Sequence, residues 1–399
     1  MSSQVLLTPQ VITRESLVIL ENNLVAASRV NRRFENQFKK IGASFTIRKP
    51  NRFTVASGAS LQLQDIAEPS VTITVDKQRH VDFQFTSQDL TLTVEEFKSR
   101  YLTPAMAALA NQVDFDTLAL WSGVSNYVGT PTVTPATFSS SVQLIGRRQD
   151  DNAAPQDGRT LVLNPAANWA VAGGLIGSFV MPTAKDALVK GYLSTIGGYE
   201  IYMDQNIANG NTGQHNTSIG MVITSAGNGT GNTTSMFGGT ATETISVGEV
   251  FTVNGVFNIN PQNRQSTGVL KNFVVTASTT PTSSTWTINF SPAIVTSGPY
   301  QNVTGPMATA TTVTFLTGTT SAQIAGAQNL AFTRDAFGLV MVPLEIPGGV
   351  DMGARETYKN ISMRTVRAYD VNNDVFPCRI DVLYGTAVYY DELAVRLGG

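Results

Sequence analysis

The chain is poor in the residues that most often do chemistry. It has one cysteine, Cys378, and two histidines, His80 and His215, in 399 residues. A single thiol excludes an intramolecular disulfide and a thiolate zinc cluster, and it fits a reducing compartment. Charged residues make up 14% of the chain, against roughly 25% in an ordinary soluble protein. The formal net charge is only −2. That argues against a strong nucleic-acid binder, because phosphate affinity grows with the cations brought to the backbone. No apolar run approaches the ~18–20 residues that span a bilayer, so no membrane contact is expected. The start, MSSQVLLTPQVITRESL, lacks the charged-then-apolar layout of a signal peptide. Without secretion, the sequons at Asn216, Asn228, Asn232, Asn302 and Asn360 carry no meaning.

Catalytic motifs are missing as well. There is no HExxH, GxSxG or P-loop. His80 alternates with Val81 and Phe83 and reads as a solvent-face strand residue, while His215 sits in an Asn/Thr-rich loop. Gly227, Gly229 and Gly231 do not join a strand to a helix and read as a flexible loop. Cys378 lies in an alternating strand and reads as a small buried residue. Glu95–Glu96 fit a helix N-terminus, where acids complement the dipole, and Asp114–Asp116 fall on a helix surface. No catalytic, cofactor-binding or metal-binding residue is expected.

What the chain does have is segregated charge. Residues 1–60 hold nine cations against three acids, a balance of +6, and residues 61–127 hold nine acids against four cations, a balance of −5. Basic and acidic segments that adjoin in sequence can pair between copies of the chain. Arg48, Lys49 and Arg52 are expected to meet acids near Asp89, Glu95 or Glu96 of an adjacent subunit. Arg29, Arg32 and Arg33 could touch nucleic acid, but a solvated or subunit-facing cluster is the plainer reading.

Along the chain, 13–28 has the helical spacing of Leu17, Leu20 and Leu24. This helix is either the first piece of a core or a clasp on a neighbour. SFTIRKP and RFTVASG read as two strands around Pro50–Asn51, and 43–75 as a protruding loop with few large apolar residues at its tip. VTITVDKQRHVDFQFTSQDL alternates as a strand. Thr93 and Glu96 form a capping box. A break at 102–103 then leads, through Thr103-Pro104, into a long helix over 104–122. TLVLNP, AANWAVAGG and GGYEIYMDQNI read as strand, helix and strand. Between 205 and 330 the only charged residues are Glu243, Glu249, Arg264 and Lys271. Short strands recur there, with Asn254-Gly255 as a type I′ hairpin turn between EVFTV and GVFNI. This predicts a small barrel or sandwich inserted into a discontinuous mixed domain, an α+β chain.

KIGASFTIRKPNRFTVASG and SVTITVDKQRHVDFQFTSQDLTLTVEEFKSRYLTPAMAALANQVD closely resemble the coat proteins of P22-type tailed phages. GEVFTVNGVFNINPQNRQSTGVLKNFVVTA and RTVRAYDVNNDVFPCRIDVLYGTAVYYDELAVRL extend the likeness over nearly the whole chain. The resemblance implies the HK97-like capsid fold: an N-terminal arm (1–42), an extended loop lying over a neighbour (43–75) and a peripheral domain with a spine helix (76–127). It further implies an axial domain (128–204 with much of 334–399) and an inserted β-domain (205–333). It implies a non-enzymatic shell protein that assembles as hexamers and pentamers around phage DNA in the host cytoplasm. A scaffolding protein, a portal and non-specific contact with packaged dsDNA would be its partners. A nanocompartment shell of the same fold and a secreted β-rich adhesin are the alternatives.

Overall fold

The computed structural model describes residues 8–33, 44–86 except 56, 65 and 67, 94–174, 193, 195–215, 221–224, 231–238, 243–317 except 283, 323–348, 352–373 except 360, and 375–399. The chain divides into two compact units. One contains 1–47, 70–117 and 337–387, and the other 48–69, 118–336 and 388–399.

The first unit is built on a five-stranded sheet. Its long strand, Val375–Val388, lies between Lys77–Thr86 and Ile361–Arg367, so that Asp381 faces His80 on one side and Arg364 on the other. Met352–Tyr358 extends the sheet beyond Ile361–Arg367, and Phe337–Met341 pairs with the long strand. The helix expected over 13–28 forms over Pro9–Asn23 and packs on the Met352–Tyr358/Ile361–Arg367 hairpin. It starts earlier because Thr8 caps it and Pro9, whose missing N–H is not needed at that position, opens it. It stops earlier because the amides of Val25 and Ala27 turn to Asp114 instead of to carbonyls one turn back. Ile12, Leu17, Leu20, Leu24 and Val30 are buried, so this segment is part of its own subunit's core.

The spine is continuous where a break was expected. Val94–Phe97 runs into a π-helical turn, Lys98–Leu102, and on into Thr103–Leu118 and a 3₁₀ turn, Ala119–Gly123. Thr103 is helical, and its N–H donates to the Lys98 carbonyl five residues back. The wider turn takes up Pro104, whose ring would otherwise crowd the carbonyl four residues before it. Thr93, the expected cap, lies outside the described residues. A separate two-stranded ribbon pairs Ser44–Arg48 with Ser70–Thr74. Among the described residues RFTVASG forms no strand. Lys49 N–H donates to the Pro69 carbonyl at 2.7 Å, and beyond it Thr54 N–H is met by the side chain of Gln64.

The second unit has a mixed sheet and a barrel. The sheet order is Tyr127–Gly129, Ala394–Gly398, Ala325–Thr333, Arg159–Leu163, Tyr199–Met203 and Thr195–Ile196, with Asn209–Asn211 paired to the start of Ala325–Thr333. Helices Val142–Asp151 and Pro165–Gly174 bury Val142, Ile145, Ala167 and Val171 against it. The barrel has six strands in the order Val313–Phe315, Val250–Ile259, Ser266–Val275, Thr285–Ile294, Gly231–Phe237 and Val222–Ile223. A bridge between Val222 and Thr312 closes it. Phe251, Phe273, Phe290 and Phe315 fill its interior with ring centroids 5.2–5.8 Å apart. The barrel strands are narrower in extent than the expected 205–333, because 209–211 and 325–333 pair in the mixed sheet. Asn254-Gly255 is no hairpin turn. Val250–Ile259 is one strand, since both halves bury side chains in the barrel, and the Asn-Gly pair is thrown out as a bulge.

Candidate subunit-contact surface

The loop between the ribbon strands carries most of the basic residues expected at a contact. At its base, Arg48 pairs with Glu68 at 2.9 Å, with 77% of the Arg48 side chain exposed. The Arg52 guanidinium pairs with Glu392 at 2.7 Å, and the Arg52 backbone N–H donates to the Tyr300 hydroxyl, which in turn donates to Oδ1 of Asn51. The Lys49 ammonium lies 4.5 Å from the centre of the Tyr390 ring. Desolvation lowers the Lys49 pKa, while Asp391 and Glu392 oppose the shift. Behind them Lys271 is buried and donates to Asn258 at 3.0 Å. Desolvation lowers the Lys271 pKa and raises that of Asp391, each opposed by the other's charge. The loop is thus fastened within its own subunit by Arg52 and Lys49.

The tip is different. Phe53, Val55, Leu61, Leu63 and Ile66 are all exposed, Val55 completely. The period-2 spacing of Phe53/Val55 and Leu61/Leu63 was visible in the sequence, yet the tip read there as having few large apolar residues. Acids 391 and 392 were also missed at the loop base. Their only signal was an acidic pair just after the long C-terminal strand.

Of the other basic candidates, Arg32 folds inward. Arg32 is buried, and its guanidinium donates to the Ala27 carbonyl at 2.8 and 3.1 Å and to the Lys359 carbonyl at 3.3 Å. Arg29 donates to the Val25 carbonyl at 2.6 Å, and Arg33 is exposed. Among the acids, Glu96 is exposed on the first spine turn, whereas Asp89 and the Glu95 side chain lie outside the described residues.

Asp114 and Asp116 are not on a helix surface. Asp114 is 1% exposed and accepts the Val25 and Ala27 amides, each at 2.7 Å. Asp116 accepts a two-pronged contact from Arg79 at 2.9–3.0 Å and the Tyr384 hydroxyl at 2.6 Å. The two carboxylates tie the spine to the arm on one side and to the sheet on the other.

His80 is exposed and 2.9 Å from Asp82, as a solvent-face residue should be. His215 is instead fully buried, 4.5 Å from the Phe315 ring centre and 3.4 Å from Glu249. Burial lowers the His215 pKa and pushes Glu249 up to about 7, even though Glu249 accepts the Gly213 and Ser246 amides. Cys378 is buried, and its thiol is pushed up to about 12 by desolvation, the opposite of an activated nucleophile. Among the described residues no group of acids, histidines and cysteine is placed to hold a metal ion, and no helix is long and apolar enough to cross a membrane.

No curated protein matches the chain. Among solved structures it is similar to one from Mycobacterium phage Che8, with 12% identity, 94% of this chain and 90% of that chain covered, and a TM-score of 0.48. It is also similar to the capsid of the cyanophage P-SCSP1u, with 11% identity, 93% and 85% covered, and a TM-score of 0.44. A virus-like particle from Pyrococcus furiosus aligns at 8% identity, 97% and 98% covered, with a TM-score of 0.39. The family model described as P22 coat protein, gene protein 5, matches residues 1–399. The chain therefore belongs to the P22 coat protein family: it is a major capsid protein of HK97-like α+β fold, a virion component that builds the shell from copies of itself.

Proposed function

We propose that the loop over 48–69 is a principal contact between neighbouring subunits of the shell, and that its apolar tip supplies most of the contact energy. The exposed row Phe53, Val55, Leu61, Leu63 and Ile66 carries this reading. A surface of that kind on a self-assembling chain calls for a protein partner. The ion pairs at the loop base set its direction, and Arg48, the most exposed cation there, is the one able to reach acids such as Asp89, Glu95 or Glu96 of a neighbour. Burying an apolar side chain contributes about 1.5–3 kcal/mol, so five per subunit, repeated around a closed ring, sum to strong association from individually modest contacts. The rings are hexamers and pentamers, assembled in the host cytoplasm with a scaffolding protein and a portal. The near-neutral chain holds dsDNA without gripping it.

The test is a double substitution, Leu61→Ser with Leu63→Ser. Both side chains are exposed in the subunit, so its fold and solubility are expected to persist while shells fail to form by electron microscopy. Shells of normal yield and stability from this variant would refute the proposal. Reversing Lys49 and Arg52 to Glu is also expected to impair assembly. Its effect passes through the loop base of the same subunit, where Glu392 would be left facing a like charge.

A further inference from the structure

Asn-Gly pairs occur at 209–210, 228–229 and 254–255. The second lies outside the described residues. In such a pair the side-chain amide can be reached by the next backbone nitrogen, because glycine has no Cβ to block the approach. The first pair is locked. Asn209 faces Ala327 and Gly210 faces Gly326 in the mixed sheet, and a Cβ on Gly210 would come within 2.9 Å of the Trp121 ring. The third pair is open. The ladder to Ser266–Val275 skips from Thr252↔Asn272 to Phe257↔Leu270, and the ladder on the other side ends at Val253↔Val313. Asn254 and Gly255 are both exposed, and Asn254 N–H donates to the Thr312 carbonyl. Gly255 belongs to neither register, has φ +79°, and has open space where a Cβ would stand.

We propose that Asn254 is a site of spontaneous covalent modification, deamidation through a succinimide. The Gly255 backbone nitrogen gives its proton to solvent base and attacks Cγ of Asn254. The new N–Cγ bond closes a five-membered ring, the Cγ–Nδ2 bond breaks, and Nδ2 leaves as ammonia. Water then opens the ring at one of its two carbonyls. One opening gives Asp, and the other gives isoaspartate with the main chain routed through Cβ. Water is the only co-reactant and nothing is oxidised or reduced.

The setting gives the modification weight. Residues 205–330 carry two acids and two cations, a balance of zero, so one added carboxylate is a large change to the field of this segment. Isoaspartate would also insert a backbone atom between two half-strands that both bury side chains in the barrel.

The experiment incubates the purified full-length subunit in mildly alkaline and mildly acidic buffer and maps its chymotryptic peptides by mass. The 252–257 peptide is expected to gain about 1 Da and to split into two chromatographic peaks, faster in the alkaline sample. Asn209, located by fragmentation within its 203–237 peptide because that peptide also holds Asn228, is expected to stay unchanged. Asn254→Gln, which leaves the backbone as it is, should abolish the change. Gly255→Ala should slow it, with folding checked separately because φ is positive there. An unmodified 252–257 peptide in the alkaline sample, or equal modification at Asn209, would overturn the proposal.

Discussion

Substituting Asp114 by alanine is expected to release the chain that follows the arm helix. The carboxylate is 1% exposed and holds the Val25 and Ala27 amides at 2.7 Å each, so the variant leaves two donors without an acceptor. Hydrogen bonds to a charged group contribute about 1.5–3 kcal/mol each, which puts the loss at about 3–6 kcal/mol. Because the chain folds in two units, a single unfolding free energy is a poor readout. Amide hydrogen exchange resolves the effect locally. Protection over residues 24–32 should fall by roughly 10²–10⁴-fold, at about 1.4 kcal/mol per tenfold, while the barrel amides stay as they were. Asp114→Asn keeps one acceptor oxygen and should lose about half as much free energy. Unchanged protection at Val25 and Ala27 in the alanine variant would refute the assignment of Asp114 as the tie between arm and spine.

Phe251→Ala removes a ring at the centre of the barrel's aromatic cluster and should destabilise the barrel by about 3–5 kcal/mol, read as lost exchange protection confined to 222–315; an effect spread evenly over both units would contradict it. Glu249, held in the folded state at about 7 against an ordinary 4.5, favours the fold when protonated. Its contribution is fully present below 4.5 and is lost as pH rises through 7, so Glu249→Gln should gain stability over the parent as pH rises, by at most about 3 kcal/mol. His215 runs the other way, its contribution being lost as pH falls below its ordinary 6.5; because it lies 3.4 Å from Glu249, the effect of Glu249 is read above pH 6.5, where the imidazole is neutral. A difference that does not change with pH would refute the raised pKa.

Local and periodic features were legible in the sequence. Met106, Leu109, Ala110 and Val113 recur at helical spacing and are all buried. The alternating run around Phe83 and Phe85 forms a strand, although 71–74 pair in the separate ribbon and 87–90 lie outside the described residues, and KNFVVTA, STWTINFS and TVTFLTG lie on barrel strands. What escaped were choices settled by distant residues. Asn254-Gly255 is a strong turn signal, but barrel packing of Val253 on one side and Val256 on the other overrode it. Asp114 and Asp116 looked like solvated acids because their partners lie far along the chain at Val25, Ala27, Arg79 and Tyr384. Pro104 read as a start, and only the π turn before it reveals a helix that continues. At the proposed contact surface the basic loop was legible as a segment, whereas its fastening to Glu392 needed the fold to bring the C-terminus near.

The pairing of Asn209–Asn211 with Ala325–Ala327 has a consequence for heredity. Thr212 and Ile324 stand 112 positions apart and still hydrogen-bond to each other. To the mixed sheet, the whole barrel is therefore a detour that starts and ends at one rung of a ladder. The entropy of bringing distant ends together rises by only about 0.6 kcal/mol for each doubling of such a detour. A short turn could replace it, or a different module could fill it, without moving a strand of the host. This is the kind of joint at which a cassette can be acquired, lost or exchanged while the shell-building frame is inherited unchanged.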